Sequence, residues 1–576
     1  MITHRNITGV VGSLMAAAVL ACFVVMAFPQ KAVETLGGNA IAMEYESELF
    51  DTDQIIQIDI QMEEADWEEM LAEAMAEEYY ACDVVINGRK ICNVGIRPKG
   101  NTSLSSIASD PDTDRFSLKL EFDHYTKGQT CFGLDKLILN NNYADATNMK
   151  EAIVYDMYQY LGADASLYNY AEISVNGVYW GVYLALEAVE ESFLLRNYGT
   201  EDGELYKPEN MDGERNGQER PEGEAPFGGG MPEPPEEGAP FGGGMPEPPE
   251  EGAPFGGGMP EPPEEGTPFG GGMPEPPEEG APFGGGMPEP PEEGAPFGNG
   301  MPGEGISGGG MPGGGFSKDN GGADLNYTDD ALESYSVIWD GEVTDATDQD
   351  HRRVVTALKN ISEGTDLENY LDVDNVLKYM AVHTFSVNMD SLSGNMTHNY
   401  YLYEHNGQLN ILPWDYNLAF GGMGAGMGGA GRGQQGQDTG ASAVINDAVD
   451  TPFQGTEFFD ALLENEEYLS RYHEYLRQLT EEYVFGGKFE ETYLRIRSRI
   501  DVLVQNDPTA FYSCEQYEAG AAMLYQTVML RAESIQGQID GMIPSTDEGQ
   551  MADDSDLVDA SEIDVNVMGS FDKGRK

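Results

Sequence analysis

From Glu224 to about Pro302 the chain repeats GAPFGGGMPEPPEE with a period of 14 residues. A fixed period raises the possibility of a stacked solenoid. Each unit, however, offers one Phe and one Met among Gly, Pro and Glu. That is too little apolar surface to offset the entropy of ordering the chain. Residues 208–322 are therefore expected to form a disordered insertion, with the PEPPEE pieces stiffened towards polyproline II. Removing it leaves flanks that read as one interrupted α+β domain. The N-terminal part covers 53–205 and a predominantly helical part covers 323–541. An acidic tail, 542–576, is expected to be disordered.

The formal net charge is −70, and like charge at that density repels the phosphates of nucleic acid. A nucleic-acid binder is therefore not expected, whereas divalent cations and basic partners would be attracted. Near the start, His4 and Arg5 precede an uncharged run from Thr8 to Phe28 that Pro29, Gln30 and Lys31 terminate. A run of that length can cross a bilayer as a helix. It reads as an uncleaved signal anchor over residues 1–31 in preference to a cleaved signal, with Arg5 inside and the rest exported. Cys82 and Cys92 flank an Asn87-Gly88 hairpin, but a two-residue turn sets their side chains on opposite faces, so no bridge is drawn without a bulge.

The elements before the insertion follow from local pattern. A strand from about 53 and a short acidic helix (about 63–78) lead into the Asn87-Gly88 hairpin. FSLKLEFD (116–123) alternates as a strand should. NMKEAIVYDMYQYLG carries Ile153, Met157 and Leu161 at helical spacing, with Gly162 as the stop. A second hairpin turns at Asn176-Gly177. Beyond the insertion, two helical stretches precede a third hairpin at Asn406-Gly407, a Gly-rich tract spans 421–440, and 454–541 is helical.

The chemistry concentrates in Asn388-Met-Asp390-Ser-Leu-Ser-Gly-Asn395, followed by the third hairpin and then Pro413-Trp414-Asp415. Phosphoryl transfer needs a carboxylate to orient an acceptor hydroxyl and oxygen ligands to hold Mg²⁺ on the phosphates. A protein-kinase catalytic loop supplies these as Asp-x-x-x-x-Asn, a hairpin, and a metal-binding Asp. Asp390, Asn395 and Asp415 have that spacing and that intervening element. The same pattern also arises by chance in an acidic chain, where Asp390 would cap a turn and Asp415 would open a loop.

Successive blocks, IRPKGNTS, LNNNYADATNMKEAIVYDMYQYLG, VNGVYWGVYLALEAVEESFL, GELYKPE, VNMDSLSGNMTHNYYLY and ILPWDYNLAFGG, resemble the CotH (spore coat protein H) kinase-like family over roughly 80–541. The resemblance implies a two-lobed, atypical protein-kinase-like fold. It implies use of ATP with Mg²⁺ or Mn²⁺, and protein substrates that accept phosphate on Ser/Thr, at the cell surface or in a spore coat. By that likeness Asp390 would be the catalytic carboxylate, and Asn395 and Asp415 would bind metal. By order along the chain, Lys119 on a strand would pair with Glu151 on the following helix to hold the α/β-phosphates. Arg97 and Lys99 are the alternative phosphate contacts. Trp180 and Tyr183 either stack on adenine near a hinge at Glu187 or, the favoured reading, belong to the core. Lys207 matches a family block without an evident role. The chain has no His-Arg-Asp, since Asn388 and Met389 precede Asp390, and no Asp-Phe-Gly, since Tyr416 and Asn417 follow Asp415. A surface scaffold or envelope-assembly protein that keeps the fold without turnover is the rival expectation.

Overall fold

The computed structural model describes residues 41–208, 321–394, 397–423, 440–453 and 455–571. The expected membrane anchor, the repeat and Asn395 lie outside the described residues. Among the described residues no helix is long and apolar enough to cross a membrane. The chain segregates into a unit of Met1–Glu224 with Ser317–Lys576 and a second, Ala225–Phe316, whose residues are not among those described.

Period-two alternation builds the first sheet. In β1 (Ile56–Gln61), Ile56, Ile58 and Ile60 are buried while Gln57 is exposed, the pattern of a strand with one face on a core. It is followed by β2 (Tyr80–Ile86), β3 (Arg89–Lys99), β4 (Ser117–Glu121), β5 (Lys136–Asn140), β6 (Tyr168–Val175) and β7 (Val178–Glu187). The strands close into a barrel in the order β1-β2-β3-β4-β5-β7-β6, with β6 returning parallel to β1. Ile58, Val84, Leu120, Leu139 and Ile173 share its interior. A three-stranded sheet, β10-β9-β8, combines β8 (Glu204–Tyr206), from before the insertion, with the hairpin of β9 (Tyr400–His405) and β10 (Gln408–Pro413).

All three expected hairpins form. Asn87, Asn176 and Asn406 have φ of 48°, 51° and 56°, and the Gly after each is also positive, which is the two-residue turn that suits strand twist. A bulge between Cys82 and Val84 sets Cys82 opposite Val94. Cys82 is buried, Cys92 is exposed, and both are free.

Six helices reach twelve residues among the described residues: α1 (Lys150–Leu161), α2 (Asp348–Ser362), α3 (Val373–Ser386), α4 (Glu466–Arg477), α5 (Lys488–Gln505) and α6 (Cys514–Ile539). Gly162 caps α1 at φ 65°, as its sequence leads one to expect. The α1 helix packs on α3, and α3 packs on α4 and α6. Barrel residues Ile138, Tyr168 and Leu184 share one core with Tyr158, Tyr379 and Tyr472 of these helices.

The tail departs from expectation. Val565 and Met568 are buried at 3% and 0% exposure, and Met568 O accepts from Ala146 N at 3.0 Å. Gly569 O accepts from the buried Lys150 Nζ at 3.2 Å. The acidic composition of 542–576 hid a few apolar residues, and the turn that carries Val565 and Met568 packs on α6. Disorder is therefore not what 542–571 shows.

Candidate active site

Helix α3 ends at Ser386, and Val387 turns the chain with φ 48°. That region is costly for a β-branched residue and is found where surrounding structure enforces it. The turn delivers Asn388–Gly394, the segment carrying Asp390. The β9–β10 hairpin follows, and Asp415, also at positive φ (56°), leaves it. Two strained residues thus bracket the candidate loop.

A buried imidazole ties the two ends together. His383 of α3 bonds through Nε2 to Ser393 Oγ (2.7 Å) and through Nδ1 to Tyr416 OH (3.1 Å). Ser391 Oγ and Ser393 Oγ both donate to Asn388 O, at 2.7 and 3.2 Å. Tyr416 OH in turn meets Tyr158 OH of α1 at 2.6 Å. Burial disfavours the charged imidazole and lowers the His383 pKa to about 3. Asn388 Nδ2 donates to the backbone carbonyl of Asp415 at 3.3 Å, which joins the loop to the backbone that carries the second carboxylate.

The side chain of Asp390 is held in place. His398 Nε2 lies 2.6 Å from its Oδ1, and Asn399 Nδ2 donates to its Oδ2 (3.1 Å) and to its carbonyl (2.8 Å). At 14% exposure the side chain keeps a narrow opening to solvent. Asp415 differs: its Oδ1 is shielded from solvent and has no hydrogen-bond partner. Its pKa is raised, chiefly by burial. Lys99 opposes that rise, the charge of Asp390 adds to it, and Lys207 and His398 oppose it further. An orphaned, shielded carboxylate oxygen beside a second carboxylate is a ready seat for a cation.

Glu151 is buried on the first turn of α1. It accepts from Asn140 Nδ2 (2.9 Å) and from Tyr416 N (3.3 Å). Burial first, and then Asp415, push its pKa up to about 8. Asn140 Oδ1 accepts from Lys99 Nζ at 3.3 Å, so one amide at the end of β5 joins the lysine to the glutamate.

This arrangement corrects the expected pairing of Lys119 with Glu151. Lys119 Nζ lies 3.6 Å from Glu190 Oε1, whereas Glu151 is linked to Lys99. Arg97 pairs with Glu77 and lies over the Tyr79 ring at 5.3 Å. Of the three strand cations, the structure brings Lys99 to Asp415. Glu187 is fully buried and bound by Arg196 through Nε (2.9 Å) and Nη2 (2.6 Å) and by Tyr45 OH (2.6 Å). Tyr183 lies in the barrel core, and Trp180 packs against that core and edge-on to Trp67 at 5.2 Å, in line with the favoured reading. Sequence reasoning missed Asn140, His398 and Asn399. No spacing rule marks them, because their roles come from the barrel register and the folding-back of the loop.

Among the described residues no group of three or more His, Cys, Asp or Glu is set to hold a metal ion. A nucleotide-bound Mg²⁺ takes most of its oxygens from phosphates and water, and needs one or two protein carboxylates. Asp415 suits that demand, with Asp390 beside it. Asp390, with both carboxylate oxygens already oriented, suits an acceptor hydroxyl better than a metal.

A family model described as CotH kinase protein matches residues 96–228 and 313–535, more than half of the chain. Lys99, Glu151, Lys207, Asp390 and Asp415 all fall inside the matched segments. A search among curated proteins gave no match.

Proposed function

The chain belongs to the CotH kinase family, and we propose that it is an extracytoplasmic phosphotransferase that moves the γ-phosphoryl group of ATP onto Ser/Thr hydroxyls of surface or spore-coat proteins. The observation that carries this reading is the shielded, unpartnered Oδ1 of Asp415 beside Lys99 and Asp390. Asp415 would hold Mg²⁺ or Mn²⁺, with Asn395 as the expected second ligand. The ion would neutralise charge on the β- and γ-phosphates. Lys99 binds phosphate oxygens, and Asn140 and Glu151 fix its position. Asp390 accepts a hydrogen bond from the acceptor hydroxyl and takes its proton as the oxygen attacks phosphorus. His398 and Asn399 keep that carboxylate aimed. ATP and the acceptor would enter a two-lobed cleft, with the barrel on one side and the β9–β10 hairpin with its helices on the other. Export rests on the apolar run Thr8–Phe28.

The test is incubation of the full chain with γ-labelled ATP, Mg²⁺ or Mn²⁺ and a Ser/Thr-rich acceptor protein, beside Asp390→Ala. Phosphate incorporation that the substitution abolishes, with folding retained, supports the reading. Equal labelling by both proteins removes Asp390 from its role.

A further inference from the structure

Trp414, 4% exposed, immediately precedes Asp415 and carries a lysine from each of two sheets. Lys99 Nζ, from the end of β3 in the barrel, lies 5.7 Å from its ring centroid. Lys207 Nζ, one residue beyond β8, lies 5.9 Å from the same ring and 5.9 Å from that of Tyr401. The Lys207 backbone is pinned, since its N–H donates to Gly341 O at 2.7 Å. Tyr401 stands edge-on to Trp414 at 5.4 Å, so the Lys207 ammonium lies beside two aromatic rings. The two cations come from different elements, and both act electrostatically on the Asp415 carboxylate. In a chain of net charge −70, two lysines brought to the edge of one carboxylate cluster suit an anionic ligand.

Charge and topology divide the work between the lysines. An ATP carrying about four negative charges keeps about two once a divalent cation binds, and the Asp415 and Asp390 carboxylates add to the negative charge, so the site calls for more than one lysine. Lys99 is tied through Asn140 to Glu151 on the barrel side. Lys207 belongs to the sheet whose central strand, β9, follows the catalytic loop. That loop, Asp390-Ser-Leu-Ser-Gly-Asn395, contains no cation of its own. The phosphoryl group in flight develops charge that needs a fixed cation on the acceptor side. Resting on the kinase reading above, we propose that Lys207 binds the transferring γ-phosphoryl group while Lys99 binds the phosphates behind it.

The experiment measures steady-state phosphate transfer and ADP affinity for wild type, Lys207→Met, Lys207→Arg and Lys99→Met. Methionine keeps an unbranched stem of similar length without the charge, and unchanged thermal unfolding without nucleotide verifies the fold. The expected result for Lys207→Met is a fall in kcat of about a hundredfold or more, ADP affinity within about threefold of wild type, and partial recovery of kcat in Lys207→Arg. Lys99→Met is expected to weaken ADP binding. A Lys207→Met kcat within twofold of wild type overturns the inference, as does a loss of ADP affinity equal to that of Lys99→Met. Inactivity of the wild type with every metal would count against the kinase reading itself, and is thereby distinguished from failure of the Lys207 assignment.

Discussion

Replacing His383 by Phe separates two consequences of burying an imidazole at the hub of the site. The ring stacks on Phe453 at 5.1 Å and on Tyr379 at 5.5 Å, contacts that a Phe ring can keep. What is lost is the Nε2 bond shared by Ser393 Oγ and Ser391 Oγ, at 2.7 and 3.3 Å, and the Nδ1 bond to Tyr416 OH. Each of those hydroxyls retains another partner, Asn388 O for the two serines and Tyr158 OH for the tyrosine. The loss is therefore about 0.5–1.5 kcal/mol per ring nitrogen, or about 1–3 kcal/mol in total at pH 7. The acid limb behaves differently. Folded His383 has a pKa of about 3 against an ordinary 6.5, so the unfolded chain takes up a proton as pH falls and the folded chain does not. That stability is complete above pH 6.5 and is lost progressively as pH falls towards 3. Between pH 7 and pH 5 the wild type loses about 2 kcal/mol through this one group, a loss the Phe variant does not share. Urea unfolding at the two pH values should show the variant less stable at pH 7 and the gap closing by about 2 kcal/mol at pH 5. A gap independent of pH would refute the assignment of a neutral, buried imidazole. Loss of activity exceeding the loss of folded protein at pH 7 would show that the hub also aligns Asp390.

Other substitutions probe separate parts. Lys99→Met is expected to lower nucleotide affinity at least tenfold by titration calorimetry, whereas Lys119→Met, removed from Asp415 by its pairing with Glu190, should stay within about threefold; the reverse order would restore the pairing expected from sequence. Met568→Ala, at a fully buried position, should cost about 2–5 kcal/mol in chemical denaturation, and an unchanged midpoint would mean that the tail is not docked in solution. Glu151 ionises in the folded chain at about 8 against an ordinary 4.5, so its contribution is complete below pH 4.5 and lost as pH rises through 8. Wild type should lose about 1.4 kcal/mol per pH unit through it across that window, and Glu151→Gln should lack that slope. Equal slopes in the two proteins would place Glu151 in a more solvated setting.

What sequence made legible was local. The Asn-Gly turns at Asn87, Asn176 and Asn406 announce their hairpins because two successive positive φ values restrict residue choice, and Gly162 ends α1 for the same reason. Asp390 and Asp415 stand out in the sequence because their separation spans one hairpin, a distance set by chain connectivity. The choice among Arg97, Lys99 and Lys119 was not legible. The β3–β4 register sets Arg97 opposite Lys119 and Lys99 opposite Ser117, so all three share a face, and only the closure of the barrel decides which one nears Glu151. The tail misleads by composition: Ile543, Ile563, Val565 and Met568 are few among acids, yet all four are buried. His398 and Asn399 reach Asp390 by a loop returning on itself, which no periodicity encodes.

The most direct measurement is a crystal structure of the full chain with Mn²⁺ and a non-hydrolysable ATP analogue, read by the anomalous signal of the metal. Phosphoryl transfer at this site requires the metal peak on Asp415 Oδ1, phosphate oxygens within hydrogen-bond reach of Lys99 Nζ, and the terminal phosphorus facing Asp390. A nucleotide bound elsewhere, with Asp415 and Asp390 unchanged and contacting neither metal nor phosphate, would contradict it.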